Sequence, residues 1–165
     1  ADLFRTVGTV FQDSWLFSGT IRDNVSMGQD DCSEQNIIEC LRAAGANFIG
    51  DGTSADLDFL IQDQGSNLSG GQRQSVMMAR ALVFNPDIFL FDEPTSAMDG
   101  LTEAEVISSL SSSLGEKTLV VVTHKMPVVA MCDRVLVMDN GKLVGDGTKD
   151  AYFELLQKHS EQKAK

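Results

Sequence analysis

Two adjacent carboxylates, Asp92 and Glu93, directly follow the apolar run Ile88–Phe91. Such a run predicts a buried strand of a parallel sheet, and open α/β sheets bind ligands beyond the carboxyl ends of their strands. Because successive strand residues point to opposite sides, the two carboxylates can hold different tasks: one beside Mg²⁺, the other polarising an attacking water. The simpler alternative is that both only cap the turn at Pro94-Thr95, but two charges at a buried strand end are costly without a purpose.

A second chemical feature is the segment Leu68-Ser69-Gly70-Gly71-Gln72 at the start of a predicted helix. Ser69 and Gln72 have the spacing of a capping box, which fixes a helix N-terminus. The two glycines let backbone amides approach a ligand, and the positive end of the helix dipole favours an anion there. A capped helix after a glycine turn is also common as a purely structural feature, so both interpretations stay open on these residues alone.

A third candidate is His124, which follows the predicted strand Lys117–Thr123 and so falls on the same edge of the sheet as the carboxylates. A lone histidine is more often structural, and only this position favours a functional role. Trp15 and Phe17 are predicted to be exposed aromatics on a loop, typical of a protein contact.

The elements that would position these residues alternate between strand and helix from residue 69 onward, which predicts an open α/β sheet. Asn140-Gly141 is a strong two-residue hairpin signal between two short strands. Five strands are predicted, of which the first three are expected to be buried: Thr6–Phe11, Ile88–Phe91, Lys117–Thr123, Arg134–Met138 and Lys142–Val144. Five helices are predicted: Thr20–Met27, one around Ile37–Ala44, one carrying Val76, Ala79 and Val83, one carrying Val106 to Leu114, and a closing one carrying Phe153 to Leu156.

Length and composition limit the function classes. The chain has 165 residues, 42% hydrophobic and 22% charged, as expected for one globular domain. Its net charge of −11 disfavours nucleic acid as a partner. Three cysteines without a CxxC spacing disfavour a structural zinc site or a disulfide scaffold. No apolar run approaches the roughly 20 residues of a membrane-spanning helix.

Taken together and in this order, the motifs resemble the nucleotide-binding domain of an ATP-binding-cassette (ABC) transporter over about residues 7–157. The matching elements are Gln12 for the Q-loop, Leu68–Gln72 for the signature motif, Phe89–Glu93 for Walker B, Ser96–Asp99 for the D-loop and His124 for the switch histidine. The stretch Gln12–Asn24 resembles exporters, and Asp92–Asp99 with Val137–Gly141 is most similar to the ATPases of type I secretion systems. A chromosome-maintenance or repair ATPase shares the signature motif, but the exporter-like stretch and the acidic charge disfavour it.

The resemblance implies ATP and Mg²⁺ as cofactors and a role for each motif. Asp92 and Gln12 would serve the metal, Glu93 would activate water, and His124 would contact the γ-phosphate. Gln12 would also sense the transmembrane domain. In a homodimer of cassettes, the signature residues would contact the ATP held by the second cassette, and Asp99 would couple the two sites. The signature residues are Ser69, Gly70, Gly71 and Gln72. A transporter of this class places its cassettes at the cytoplasmic face of the plasma membrane, and the chain itself is expected to be soluble.

One expected motif is missing: the 165 residues contain no G-x-x-x-x-G-K-[ST] phosphate loop. By resemblance the chain is therefore expected to be a partial P-loop NTPase fold, cut behind its Walker A motif, with a sheet gap after the strand Lys117–Thr123. We expect a helical, signature-bearing subdomain over about 13–85, a core remnant over 1–12 and 86–157, and a polar tail over 158–165. The isolated chain is expected to be inactive. The alternative is a non-enzymatic cassette that donates its signature motif to a complete partner.

Overall fold

The computed structural model describes residues 3–12, 14–50 and 53–163, with side chains described from residue 5 to residue 157. Short 3₁₀ turns at Ser54–Asp58 and Asp63–Gly65 lie between the regular elements. Those elements, in chain order, are α1 (Leu3–Thr6), β1 (Val7–Val10), β2 (Gly19–Thr20), α2 (Ile21–Ser26), α3 (Glu34–Ala43), β3 (Leu60–Ile61), α4 (Gly70–Leu82), β4 (Ile88–Asp92), α5 (Gly100–Leu114), β5 (Thr118–Val122), α6 (Met126–Val129), β6 (Arg134–Asp139), β7 (Lys142–Thr148) and α7 (Lys149–Lys163).

The chain forms two compact units, residues 1–123 and 124–165. The first contains a parallel sheet in the order β1-β4-β5, with Val10 opposite Phe91 and Phe91 opposite Val121. Phe89 and Phe91 of the central strand are buried on one face, with ring centroids 5.6 Å apart. The predicted mixed α/β fold with a parallel sheet is confirmed, and β4 is its central strand as expected.

Helix α4 is the element that joins the sheet to the helical part of the first unit. Its apolar face, including Val76 and Ala79, is fully buried. A Cβ atom on Gly8 of β1 would lie 2.5 Å from the Ala81 carbonyl oxygen, so this strand passes too close to α4 for any other residue. The C-terminal end of α4 is thereby packed directly against β1.

The burial predicted for β5 is wrong. Val120 is 52% exposed and Val122 is 63% exposed, although the strand itself forms where its sequence predicts. Among the described strands, β5 hydrogen-bonds only with β4. One face of this apolar strand therefore remains uncovered, and an apolar run alone cannot say whether a covering layer is present.

The second unit is built on the predicted hairpin. β6 and β7 pair antiparallel around Asn140-Gly141, whose φ values of 46° and 75° fit the turn that Asn-Gly favours. Arg134 and Asp146 form a two-pronged ion pair across the hairpin, with N···O distances of 2.7 and 2.6 Å. α7 runs through most of the predicted polar tail, of which residues 164 and 165 lie outside the described chain. Within the described residues, no helix is both long and apolar enough to cross a membrane.

Candidate functional site

The parallel strands of the first unit end at one edge of the sheet, and the sequence-predicted residues follow those ends. Val10, Asp92 and Val122 are the last residues of β1, β4 and β5. Gln12 lies exposed in the turn after β1, which is closed by two hydrogen bonds of 3.0 Å between Phe11 and Ser14. Asp13, its neighbour, lies outside the described residues.

Glu93 has an unusual backbone. Its φ of 48° places it in the left-handed region, which costs a residue with a side chain about 1–3 kcal/mol unless its surroundings enforce it. Its amide donates to the Val122 carbonyl at 2.9 Å, which keeps the residue attached to the sheet edge after β4 has ended. The Thr123 hydroxyl lies 3.4 Å from one oxygen of the half-buried Glu93 carboxylate. These contacts hold the Glu93 backbone and carboxylate at the sheet edge where β4 and β5 end.

Asp92 ends β4 and pairs in register with Val122. Its half-buried carboxylate is a hard oxygen ligand of the kind Mg²⁺ takes, usually with only one or two protein carboxylates. The described residues contain no group of three or more potential metal-binding side chains. Asp92 therefore fits a Mg²⁺ ion completed by phosphate oxygens and water, and it does not fit a metal held by protein ligands alone.

The capping box predicted at the signature segment is present. The Ser69 hydroxyl accepts from the Gln72 amide at 3.2 Å, and the Gln72 side-chain oxygen accepts from the Ser69 amide at 2.8 Å. The amides of Gly70 and Gly71 belong to the first turn of a 13-residue helix, where backbone N–H groups have no partner within the helix. The turn therefore suits an anion.

The structure adds a second reason for the glycines. A Cβ atom on Gly71 would lie 3.0 Å from the Ala97 carbonyl oxygen, and one on Gly70 would lie 3.1 Å from the Ala97 Cβ. The signature turn is packed directly against the segment Ser96–Asp99. The sequence left both a ligand-binding and a structural role of the glycines open, and this contact supplies a structural one.

Asp99 begins α5 as its N-cap. Its carboxylate accepts from the Leu101 amide at 3.0 Å, and from the Thr102 amide and hydroxyl at 3.1 and 2.8 Å. These hydrogen bonds, chiefly the one from the Thr102 amide, lower the pKa of Asp99 below its usual value. The carboxylate is therefore ionised at neutral pH and fixed in direction.

Sequence reasoning missed Gln74. This side chain is only 7% exposed and makes three hydrogen bonds to the loop after β4: its amide nitrogen donates to the Glu93 carbonyl at 2.8 Å and to the Ser96 hydroxyl at 3.2 Å, and its oxygen accepts from the Ala97 amide at 3.0 Å. A polar residue on the buried face of a helix was the available signal, because such residues are normally hydrogen-bonded.

The exposed aromatics predicted after Gln12 are also present, on a loop that is held from beneath. Trp15 is 63% exposed and Phe17 is 43% exposed. Arg80 of α4 donates to the Trp15 carbonyl at 3.0 Å and lies 4.8 Å from the centre of the Phe17 ring. Burial lowers the pKa of Arg80 to about 10, so it still carries its charge at neutral pH. An open groove of about 770 Å³ borders this loop; it is lined by Ser14, Trp15, Asp63, Gln64, Ser66 and Arg73.

His124 directly follows Thr123 in the chain and is exposed, and it is the first residue of the second unit. The first unit thus brings together at its sheet edge the ends of β1, β4 and β5, and packs the signature turn against the segment that joins Glu93 to Asp99.

Comparison with protein families supplies the deciding observation: a family described as ABC transporter matches residues 2–96, more than half of the chain. The chain belongs to the ABC transporter family. It is 41% identical over 152 residues to an ABC transporter ATP-binding protein of Mycobacterium tuberculosis, covering 90% of this chain and 26% of that protein. It is 36% identical over 156 residues to the alpha-hemolysin translocation ATP-binding protein HlyB of Escherichia coli O157:H7, covering 94% of this chain and 22% of that protein.

A solved structure agrees with the sequence relatives. A bacterial Atm1-family ABC exporter with ATP bound superposes with a TM-score of 0.84 at 33% identity, covering 99% of this chain and 30% of the exporter chain. The chain is an ABC transporter ATP-binding domain homologous to exporter ATPases, and it spans about a quarter of the length of these curated relatives.

Proposed function

We propose that this chain supplies the signature helix and the water-activating edge of an ATP-hydrolysing exporter cassette. The observation that supports the proposal is the packing of the Ser69–Gln72 turn against the loop that begins at Glu93, because direct contacts join an anion-binding turn to a candidate base. Membership of the ABC transporter family supplies the general reaction, hydrolysis of ATP.

At the sheet edge, Glu93 is the proposed general base. Its left-handed backbone and the Thr123 contact place the carboxylate beyond the end of β4, where it can accept a proton from water. Asp92 and Gln12 would hold Mg²⁺, and His124 would contact the γ-phosphate. Mg-ATP, when bound, supplies the phosphoryl group and the charge that neutralises its oxygens. The protein's task is then to orient one water and to fix the surrounding charges.

At the signature turn, Ser69, Gly70, Gly71 and Gln72 are proposed to bind the γ-phosphate of ATP held by a second cassette. The amides of Gly70 and Gly71, which have no partner within the helix, and the helix dipole fit this anion. The capping box presents the turn in a fixed conformation, so little ordering is required when the phosphate arrives. Asp99, the N-cap of α5, follows the Ala97-Met98 segment that packs against this turn and is the proposed link between the two sites.

The aromatic loop is the proposed contact with the transmembrane domain. Trp15 and Phe17 present apolar surface beside the open groove, while Arg80 holds the loop to the signature helix. A displacement of this loop by the transmembrane domain would therefore be passed to α4 through Arg80. The relatives of similar identity differ in cargo: HlyB is described for alpha-hemolysin, and the 35% identical NdvA of Bartonella bacilliformis for β-(1→2)glucan. The resemblance to type I secretion ATPases favours a protein cargo. Sequence identity to these relatives supports the exporter class, and it does not distinguish between their cargoes.

The isolated 165 residues are proposed to bind ATP weakly and not to turn it over, since they contain no phosphate-loop lysine or amide cradle. Titration calorimetry of the isolated chain with Mg-ATP tests this part. We expect no heat of binding at micromolar ATP. Micromolar affinity would contradict it, and would show that this chain completes a nucleotide site by itself.

A further inference from the structure

Gln74 is the described side chain that joins α4 to the loop after β4 by hydrogen bonds at both ends of its amide. A glutamine is suited to this position because one planar group carries both a donor and an acceptor. Glutamate would lose the donor, lysine would lose the acceptor, and methionine would lose both while keeping the length. Because Gln74 is buried, a replacement that lacks one of these groups leaves its partner on the loop without that hydrogen bond from α4.

The bond from Gln74 to the Glu93 carbonyl acts where the backbone is strained. The same carbonyl accepts from the Ser96 amide at 3.2 Å, while the Glu93 amide is held by Val122. Three bonds thus fix both peptide groups that flank the left-handed Glu93 residue, and the direction of a side chain follows from the peptides on either side of it. The bond from Ser96 comes from the turn itself, and the bond to Val122 comes from the neighbouring strand β5. Gln74 contributes the bond that comes from a side chain, and it links the Glu93 peptide to α4.

We propose that Gln74 is a positioning residue for Glu93, which transmits the state of the signature turn to the water-activating carboxylate of the same chain. The inference rests on the proposed function of Glu93. Gln74 lies one helical turn after Gly70 and Gly71, so an anion that pulls on the signature turn moves α4 and, through Gln74, the Glu93 peptide. Occupancy of one ATP site would in this way set the geometry at the other.

The first test is structural and uses the 165-residue chain. Amide hydrogen exchange by NMR reports on Ala97, whose N–H donates to the Gln74 oxygen. In Gln74→Met we expect the Ala97 amide to exchange about tenfold faster, as for the loss of one hydrogen bond. Gln74→Glu keeps that acceptor, and its Ala97 amide should stay within about threefold of the wild type. An unchanged exchange rate at Ala97 in Gln74→Met would refute the hydrogen-bond link between Gln74 and the loop after β4.

The second test is kinetic and uses the complete transporter. We expect Gln74→Met and Gln74→Glu each to lower kcat for ATP by about 10- to 100-fold with KM changed less than about threefold, because both lose the donor to Glu93 and neither alters the signature turn. Gln35→Met is the matched control: Gln35 is exposed on α3 and bonds only to Glu39 in the contacts described, at 2.7 Å, so its kcat should equal that of the wild type. Circular dichroism of each variant confirms that the folded fraction is comparable.

The outcomes separate the two proposals. If Glu93→Gln abolishes turnover and the Gln74 variants keep a wild-type kcat, the positioning role is wrong and the proposed function stands. If Glu93→Gln itself turns over ATP normally, the proposed function fails first. If Gln74→Glu behaves like the wild type while Gln74→Met is slow, the Ala97 contact is the important one and the link to Glu93 is refuted.

Discussion

Replacement of Asn24 by alanine is the sharpest stability test of how the aromatic loop is held. Asn24 is fully buried in α2, and its side chain makes four hydrogen bonds. Its amide nitrogen donates to the Phe17 and Thr20 carbonyls, both at 3.0 Å, and its oxygen accepts from the Phe17 amide at 2.9 Å and from Arg80 at 3.0 Å. At about 1 kcal/mol for each of the four side-chain hydrogen bonds lost, Asn24→Ala should lower the free energy of unfolding by about 4 kcal/mol.

That loss is a large fraction of the roughly 5–15 kcal/mol available to a domain. With a urea slope of about 2 kcal/mol/M, it moves the unfolding midpoint down by about 2 M, measured by circular dichroism. Asn36→Ala is the matched control, because the Asn36 side chain makes one short hydrogen bond, 2.8 Å to the Val83 carbonyl, and otherwise accepts only a weak one from the Cys40 thiol at 3.7 Å among the contacts described. We expect it to shift the midpoint by about 0.5 M. Equal shifts for the two variants would refute the reasoning that Asn24 organises the loop.

Three further predictions follow from single features. Hydrogen bonds, chiefly from the Thr102 amide, lower the pKa of Asp99 in the folded protein, so the stability that the carboxylate contributes is present above its ordinary pKa and is lost as pH falls through the lowered one. Asp99→Asn should therefore flatten the fall in melting temperature between about pH 5 and pH 2, and an unchanged slope would contradict this. Burial raises the pKa of Cys40 to about 12. At pH 8 a thiol reagent should therefore label Cys40 in the native protein on the order of 10³ times more slowly than in urea, as followed by mass spectrometry. Equal labelling rates would contradict the burial of this thiol. The exposed apolar side chains on β5 should make the chain self-associate, as measured by sedimentation velocity, and the variants Val120→Lys and Val122→Lys should self-associate more weakly. A wild-type chain that is monomeric at every concentration would contradict this prediction.

Local signals were sufficient for the elements whose causes are local. Ile88–Asp92 is a strand because its apolar run leaves no polar face, and the Asn140-Gly141 hairpin follows from two residues that tolerate a positive φ. The capping box at Ser69 is likewise contained within four residues. The carboxyl edge could be predicted as well, since parallel strands end on one side of a sheet.

Features that depend on distant partners could not be predicted. The two-residue strands β2 and β3 exist only because Gly19 and Ile61 meet across 42 positions of chain, which no local pattern encodes. The exposure of Val122 depends on what covers β5, and its sequence is that of a buried strand. Gln74 looks like one more polar residue in a polar helix turn until the loop at Ala97 is placed beside it.

The central claim, that Glu93 at the edge of β4 activates the water that cleaves ATP, is tested most directly by trapping the complete transporter with Glu93→Gln. Glutamine keeps the size and hydrogen-bonding reach of the side chain but cannot accept the proton. We expect Mg-ATP to stay bound to this variant in a stable dimer of cassettes, seen by gel filtration with retained nucleotide, while phosphate release is abolished. Phosphate release at the wild-type rate, with no trapped dimer, would contradict it.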